Sequence, residues 1–360
     1  MFEFEFLKNK FYKNKKILIT GHTGFKGTWL CRMMLNLGAN VTGYSLQPPT
    51  QPNLFSLADI ANKMNSVIGD VRDFEHLQII FAEVQPEIVF HLAAQPIVRE
   101  SYKEPRYTYE TNVMGTVNVL ECVRQCRSVK SVLNVTTDKV YLNKERINGY
   151  REEEPLDGYD PYSNSKSCSE LVTHCYNNCF FANRKIAVST VRAGNVIGGG
   201  DFAKSRIIPD CVRAMQEGKT IEVRNPYSIR PYQHVLEPLA VYLMIAASQY
   251  EDMSFAGYYN VGPDDVDCIT TGELVSLFCK YWGALAKWKI KVESDAPHEA
   301  SFLKLDCSLL KNTFNWKSHW DIEETIKRTC EFSKIFIRDG NIPKEMDTEI
   351  QSFFGNSLSI

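Results

Sequence analysis

Apolar residues along this chain fall into two alternating rhythms. Short, nearly continuous apolar runs recur at Lys16 to Thr20, Asn40 to Leu46, Ser66 to Gly69, Ile88 to His91, Ser131 to Thr136 and Ile186 to Val191. Their length predicts strands. Between them, apolar positions return every three or four residues, which predicts helices over Thr28 to Leu37, Phe74 to Val84, around Asn112 to Gln125 and from about Tyr162 to Phe181. Gly38 stops the first of these. The exit of the second strand, Gln47 to Pro52, holds three prolines and therefore predicts a loop rather than an immediate helix. Strands and helices alternating at this spacing build a parallel sheet covered on both faces, so the fold class is α/β with a doubly wound sheet.

Beyond Arg192 the regularity weakens. Gly198-Gly199-Gly200 predicts a turn, Ile207 to Gln216 a helix, and Asn225 to Arg230 a loop. Further helices follow at Pro238 to Gln249, Thr271 to Tyr281 and Ile322 to Phe336. The expected organisation is a dinucleotide-binding domain over residues 1–200 and a smaller, mixed substrate domain over 201–345, with segments returning to the first domain. A peripheral tail is expected over 346–360.

Charge narrows the partners. With 41 Lys+Arg against 43 Asp+Glu the formal charge is −2, so no broad positive field exists for a nucleic-acid backbone. Eleven cysteines are scattered without a CxxC pair, which favours reduced, mostly buried thiols over a metal site or a disulfide framework. Met1 to Lys16 mixes Phe with Glu and Lys and does not read as a signal peptide, and no window reaches the roughly 18 to 20 apolar residues of a membrane span. A cytoplasmic enzyme, with no metal, nucleic-acid or membrane partner, is the expectation.

Gly21-His22-Thr23-Gly24-Phe25-Lys26-Gly27 leaves an apolar strand and opens a helix. A glycine triplet alone is a weak signal, since turns produce it by chance, but in this position it gains a mechanism. Gly21 and Gly24 let backbone approach a pyrophosphate, Gly27 lets helix and strand pack closely, and the helix N-terminus offers unpaired N–H groups. This marks a Rossmann-type dinucleotide site. The second strand ends Gly43-Tyr44-Ser45, with neither an acid for a ribose hydroxyl nor an arginine for a 2′-phosphate, so local chemistry does not choose between NAD and NADP. Asp70, beyond the third strand, is a candidate for the adenine amino group; its alternative is a helix cap, a task better suited to Asp73.

Tyr162 and Lys166 stand four residues apart near a helix start, so they share a face. A tyrosine is a poor base near neutral pH unless positive charge favours its phenolate; a lysine ammonium and an oxidised nicotinamide both do so. Thr136 and Thr137, at the end of the preceding strand, bring a hydroxyl to the same substrate oxygen. Each element is common alone. In this order they point to hydride transfer.

The chain resembles the extended short-chain dehydrogenase/reductase family. The resemblance covers nearly the whole sequence and rests on Thr20 to Gly27, His91-Leu92-Ala93-Ala94-Gln95, Asn112-Val113-Met114-Gly115-Thr116, Thr136 to Tyr141, and Tyr162 with Lys166. Within that family Pro52-Asn53-Leu54-Phe55, Thr137 to Tyr141 and Arg230-Pro231-Tyr232-Gln233-His234-Val235 resemble the nucleotide-sugar 4,6-dehydratases that act on CDP-glucose. The resemblance implies tightly held NAD, a role in supplying deoxysugar precursors for surface polysaccharide, and a homodimer or tetramer built on the helices around Asn112 to Gln125 and Tyr162 to Phe181. It implies cofactor contacts from Gly21, Gly24, Phe25, Lys26, Gly27, Asp70, Val71, Leu92, Ala93, Ala94, Tyr162 and Lys166. Thr137, Asp138, Lys139, Tyr162 and Lys166 are implied as catalytic, and Gln95, Asn195, Arg206 and Arg230 as substrate-binding. Lys139 departs from the pattern, because better-known sugar dehydratases carry Asp-Glu where this chain has Asp138-Lys139. Its role stands open between base, electrostatic group and a structural partner of Asp138. An epimerase, another 4,6-dehydratase and a regulatory dinucleotide-binding protein are the rival readings.

Overall fold

The computed structural model describes residues 4–291 and 302–355. Its centre is a seven-stranded, wholly parallel sheet. The strands are β1 (Lys16–Thr20), β2 (Asn40–Ser45), β3 (Asn65–Ile68), β4 (Ile88–His91), β5 (Ser131–Val135), β6 (Ala187–Ala193) and β7 (Tyr258–Val261), in spatial order β7-β6-β5-β4-β1-β2-β3. The order reverses between β1 and β4, which opens a crevice at the carboxyl ends of those strands.

Strand periodicity divides the apolar residues between two cores. Ile17, Ile19, Ile88, Phe90, Leu133 and Val135 face one side, where they meet Trp29, Leu30, Met33 and Met34 of α1 (Phe25–Asn36). Leu18, Val89 and Val132 face the other. There they meet Leu77, Ile80 and Phe81 of α2 (Phe74–Val84) and Val119, Leu120 and Val123 of α3 (Gly115–Gln125). Asp73 caps α2 by accepting from the His76 N–H at 3.0 Å. The third of the four early helices is longer than its pattern suggested: α3 continues a helical stretch that begins at Pro105, and a further short helix, Val98–Lys103, precedes it. The fourth, α4 (Pro161–Tyr176), runs into a π-helical turn, Asn177–Phe181.

The smaller region contains α5 (Ile207–Gln216) and three two-stranded pieces, with a core built on Ile208, Cys211, Ile221, Val223, Leu274 and Phe278. Part of the predicted loop Asn225 to Arg230 is instead strand: Ile229–Pro231 pairs antiparallel with Cys268–Thr270. The chain returns to the large sheet through α6 (Leu236–Glu251) and β7, then adds α7 (Thr271–Trp282), α8 (Ile322–Ile337) and α9 (Ile342–Phe354).

Helix α9 corrects the expected tail. Ile342, Met346, Ile350 and Phe353 are buried in the main core, and Arg32 of α1 donates through Nε to Asp347 Oδ1 at 2.8 Å. The spacing of these four residues places them on one face, and that face needs a partner. Only residues 356–360 of the predicted tail lie outside the described residues. No described helix is long and apolar enough to cross a membrane.

Candidate active site

The turn after β1 has the shape predicted for a dinucleotide cradle. Gly21 lies at φ +77°, and a Cβ there would stand 2.8–2.9 Å from the backbone of Leu92 and Ala93. A Cβ at Gly27 would fall 2.1 Å from the Gly21 carbonyl oxygen, so the turn closes only without side chains at both positions. Leu92, Ala93 and Ala94 form the opposite wall. They are held there by Thr20, whose Oγ1 accepts from the Ala93 N–H at 3.2 Å and sits 2.7 Å from His91 Nδ1. No side chain caps α1, which leaves its first amides for a phosphate. These residues fit a dinucleotide.

Asp70 and Val71 follow β3. The Asp70 carboxylate pairs with Arg72 at 2.6 Å, which holds it below the usual carboxylate range against the opposing effect of partial burial, while Val71 packs into the second core.

Helix α4 carries the side chains that the sequence marks as candidates for the chemistry. Asp160 caps it by accepting from the Ser163 N–H, and Pro161 opens its first turn. Tyr162, Lys166 and Glu170 then follow at four-residue intervals on one buried face. The Lys166 ammonium donates to the Val135 carbonyl at 3.0 Å, and burial lowers it to about 8. Burial raises the Tyr162 phenol to about 12, with Thr137 and Arg206 pulling it down and Asp138 and Asp160 pushing it up. Desolvation outweighs the neighbouring charges at the phenol, and the Lys166 ammonium is turned to a backbone carbonyl.

The two threonines divide their work. Thr136 donates to Glu170 beneath the site. Thr137 lies beside Tyr162 and donates to Asp138 Oδ1 at 2.9 Å. Lys139 also donates to Asp138 Oδ1, at 2.9 Å. The other carboxylate oxygen, Oδ2, is buried with no hydrogen-bond partner among the described residues.

A cavity of about 780 Å³ lies over this floor, between the large sheet and the smaller region. It brings together Phe25, Lys26, Thr137, Asp138, Lys139, Tyr162, Asn195, Arg206 and Arg230 from segments far apart in sequence. The Asn195 Nδ2 amide is buried with no partner among the described residues. Gln95 does not line the cavity. Its amide is engaged within the fold: Nε2 donates to Ile97 O and Thr108 Oγ1, and Oε1 accepts from the Ile97 N–H. These bonds fix the loop whose next residues, Pro96 to Arg99, do reach the cavity wall.

A family model described as GDP-mannose 4,6 dehydratase matches residues 18–329. The chain belongs to this family. Among curated relatives, it is 48% identical over 338 residues to the CDP-glucose 4,6-dehydratase of Salmonella typhimurium, covering 92% of this chain and 94% of the relative. Among solved structures, a Methanothermobacter thermautotrophicus epimerase superposes with a TM-score of 0.78 at 21% identity, over 93% of this chain and 98% of the other. The NAD complex of dTDP-glucose 4,6-dehydratase from Bacillus anthracis gives 0.73 at 23% identity, over 89% and 96%. These two likenesses concern the fold.

In this dehydratase-family chain two functional supports escaped the sequence reading. Glu170 and Arg192 form a fully buried pair: Arg192 donates through Nε and Nη2 at 3.1 and 3.0 Å, and Thr190 adds a hydroxyl at 2.6 Å. Glu170 also favours the Lys166 ammonium. The four-residue spacing from Tyr162 through Lys166, continued one step, is the signal that could have found Glu170. Asp201, buried in the cavity wall, holds Arg206 at 3.0 Å, and no local pattern marked it.

Proposed function

We propose that this chain converts CDP-glucose to CDP-4-keto-6-deoxyglucose and water, with NAD as its resident cofactor and the cytoplasm as its site of action. The observation that carries this reading is the convergence, in one cavity, of Tyr162 and Thr137 with Asp138, one buried oxygen of which has no hydrogen-bond partner among the described residues. An epimerase needs only the first two. A dehydratase also needs a group that protonates a departing hydroxyl, and Asp138 Oδ2 supplies the place for it.

When bound, NAD supplies a hydride acceptor for C4, a hydride donor for C6 and a positive charge that favours the Tyr162 phenolate. Tyr162 takes the C4 hydroxyl proton, and Thr137 orients that oxygen. The resulting ketone acidifies C5–H. Asp138, entering this step protonated, gives its proton to the C6 hydroxyl, which leaves as water, and Lys139 either takes the C5 proton or stabilises negative charge on the enolate oxygen. A proton returns to C5 as hydride reaches C6, and the proton held by Tyr162 passes through solvent to restore Asp138. Asn195, Arg206 and Arg230 bind the substrate diphosphate, the guanidinium forks being suited to its oxygens. The relative of known name that is 48% identical acts, by that name, on CDP-glucose, which supports the base and the sugar.

A homodimer is also proposed. Tyr109, Met114, Leu171 and Phe180 are exposed apolar side chains on the two helical stretches expected to pair between subunits. Sedimentation at micromolar concentration should give twice the chain mass; a monomer would refute this part.

The activity is tested by incubating the pure protein with CDP-, dTDP-, UDP- and GDP-linked hexoses and weighing the products. Loss of one water from CDP-glucose is expected. Unchanged mass with CDP-glucose, or a clear preference for another donor, would overturn the assignment.

A further inference from the structure

Lys26 occupies a position that the folded chain alone does not satisfy. It is the second residue of α1, at the helix end that carries partial positive charge, and the first turn holds no acidic residue. It is half-buried in the cavity wall, together with Tyr162, Asn195 and Arg206. No hydrogen-bond or ion-pair partner meets its ammonium among the described residues. The charges around it come from three other segments. Lys166 on α4 and Arg206 before α5 oppose its proton, and Asp138 after β5 favours it. Asn195 also lines this cavity, and its buried Nδ2 is a second donor without a partner among the described residues. Unsatisfied donors beside a guanidinium, around one volume, call for an anion with several acceptor oxygens.

We propose that Lys26 is a diphosphate-responsive ligand of this cavity, which takes up a proton from solvent as the diphosphate enters and forms an ion pair with it. The step makes one N–H bond and breaks none in the ligand. Burial, then Lys166 and Arg206, lower the Lys26 ammonium to about 7, which favours the neutral amine relative to an ordinary lysine. An entering dianion reverses the sign of that field. The substrate's diphosphate is the expected partner, since Asn195 and Arg206 share the wall with Lys26; that part rests on the function proposed above. The cofactor's diphosphate offers the same chemistry.

Isothermal titration at pH 8.5, in buffers of different ionisation enthalpy, counts the protons bound with the ligand. CDP is titrated into the NAD-loaded protein in one arm, and NAD into nucleotide-free protein in the other. Wild type should take up about one proton with CDP. Lys26→Met should abolish that uptake and weaken CDP by about 10- to 100-fold, the loss of a charge-assisted hydrogen bond. Lys26→Arg should keep most of the affinity yet take up no proton, because a guanidinium is charged in both states. Circular dichroism establishes that each variant is folded. Lys26-dependent uptake in the NAD arm alone would assign the residue to the cofactor, and failure of CDP to bind wild type would reject the substrate while leaving that arm decisive. Equal proton uptake by wild type and a folded Lys26→Met in both arms would overturn the proposal.

Discussion

The Lys139 ammonium lies 2.9 Å from Asp138 Oδ1. Because Thr137 donates to that same oxygen, the two contacts fix the carboxylate of this cavity-lining residue, and its buried Oδ2 has no hydrogen-bond partner among the described residues. Lys139 is thus at once a partner of Asp138 and a cation on the cavity wall. The first fact alone is the structural role anticipated from sequence. The second puts it in the same cavity wall as Tyr162 and Thr137.

Replacing Lys139 with Ala separates these roles. If Lys139 serves elimination, stopped-flow mixing of the NAD-loaded variant with CDP-glucose should show reduced nicotinamide accumulating. Exchange of the C5 proton in heavy water and product formation should both slow by about 10²-fold. Wild-type rates of exchange and product formation in a folded variant would leave Lys139 a structural residue.

Tyr162→Phe should lower turnover by about 10²- to 10⁴-fold while preserving NAD binding, because the ring still fills its site and only the proton-transfer group is lost. A folded variant with near-normal turnover would remove Tyr162 from the chemistry.

The Glu170–Arg192 pair should matter to stability first. Arg192→Met leaves a fully buried carboxylate without its fork, a change worth about 3–5 kcal/mol. Urea unfolding checks this, and Glu170→Met combined with Arg192→Met should recover part of the loss. A single variant within about 1 kcal/mol of wild type would show that the pair is not the anchor of this floor.

Glu237 predicts a pH dependence of stability. It is 2% exposed, its Oε1 accepts from the His319 and Trp320 N–H groups, and burial raises it to about 8 from an ordinary value of 4.5. The folded state therefore binds this proton more tightly than the unfolded chain. The associated stability is full below the unfolded value and is lost as pH rises through about 8. Glu237→Gln should gain on wild type between pH 5 and pH 8, by at most about 1.4 kcal/mol per pH unit. Parallel unfolding curves over that range would contradict the assignment.

Much of the large sheet was legible because buried parallel strands leave short apolar runs and glycines mark the turns between layers. Gly21 and Gly27 carried their reason in the sequence: strand, turn and helix meet there without room for a side chain. Pairings that depend on how the chain folds back were not legible. Asp201 holds Arg206 only once the intervening turn folds back, and Ile342, Met346, Ile350 and Phe353 form a core face only against α1 and the N-terminal residues. Gln95 was assigned to substrate from its motif alone, whereas the partners that occupy its amide, Ile97 and Thr108, come from its own loop and the helix beyond. The lowered Lys26 and raised Tyr162 likewise depend on charges and burial contributed by other segments.

The central claim is a closed redox cycle in which one hydride leaves C4 and returns to C6 within the same sugar. CDP-glucose carrying deuterium at C4 tests it directly, in ordinary water, with the product analysed by mass and proton resonance. The account predicts a CDP-4-keto-6-deoxy sugar that retains the deuterium at C6, with no net accumulation of reduced cofactor. Deuterium lost to solvent, or returned only to C4 with water retained in the sugar, would contradict it.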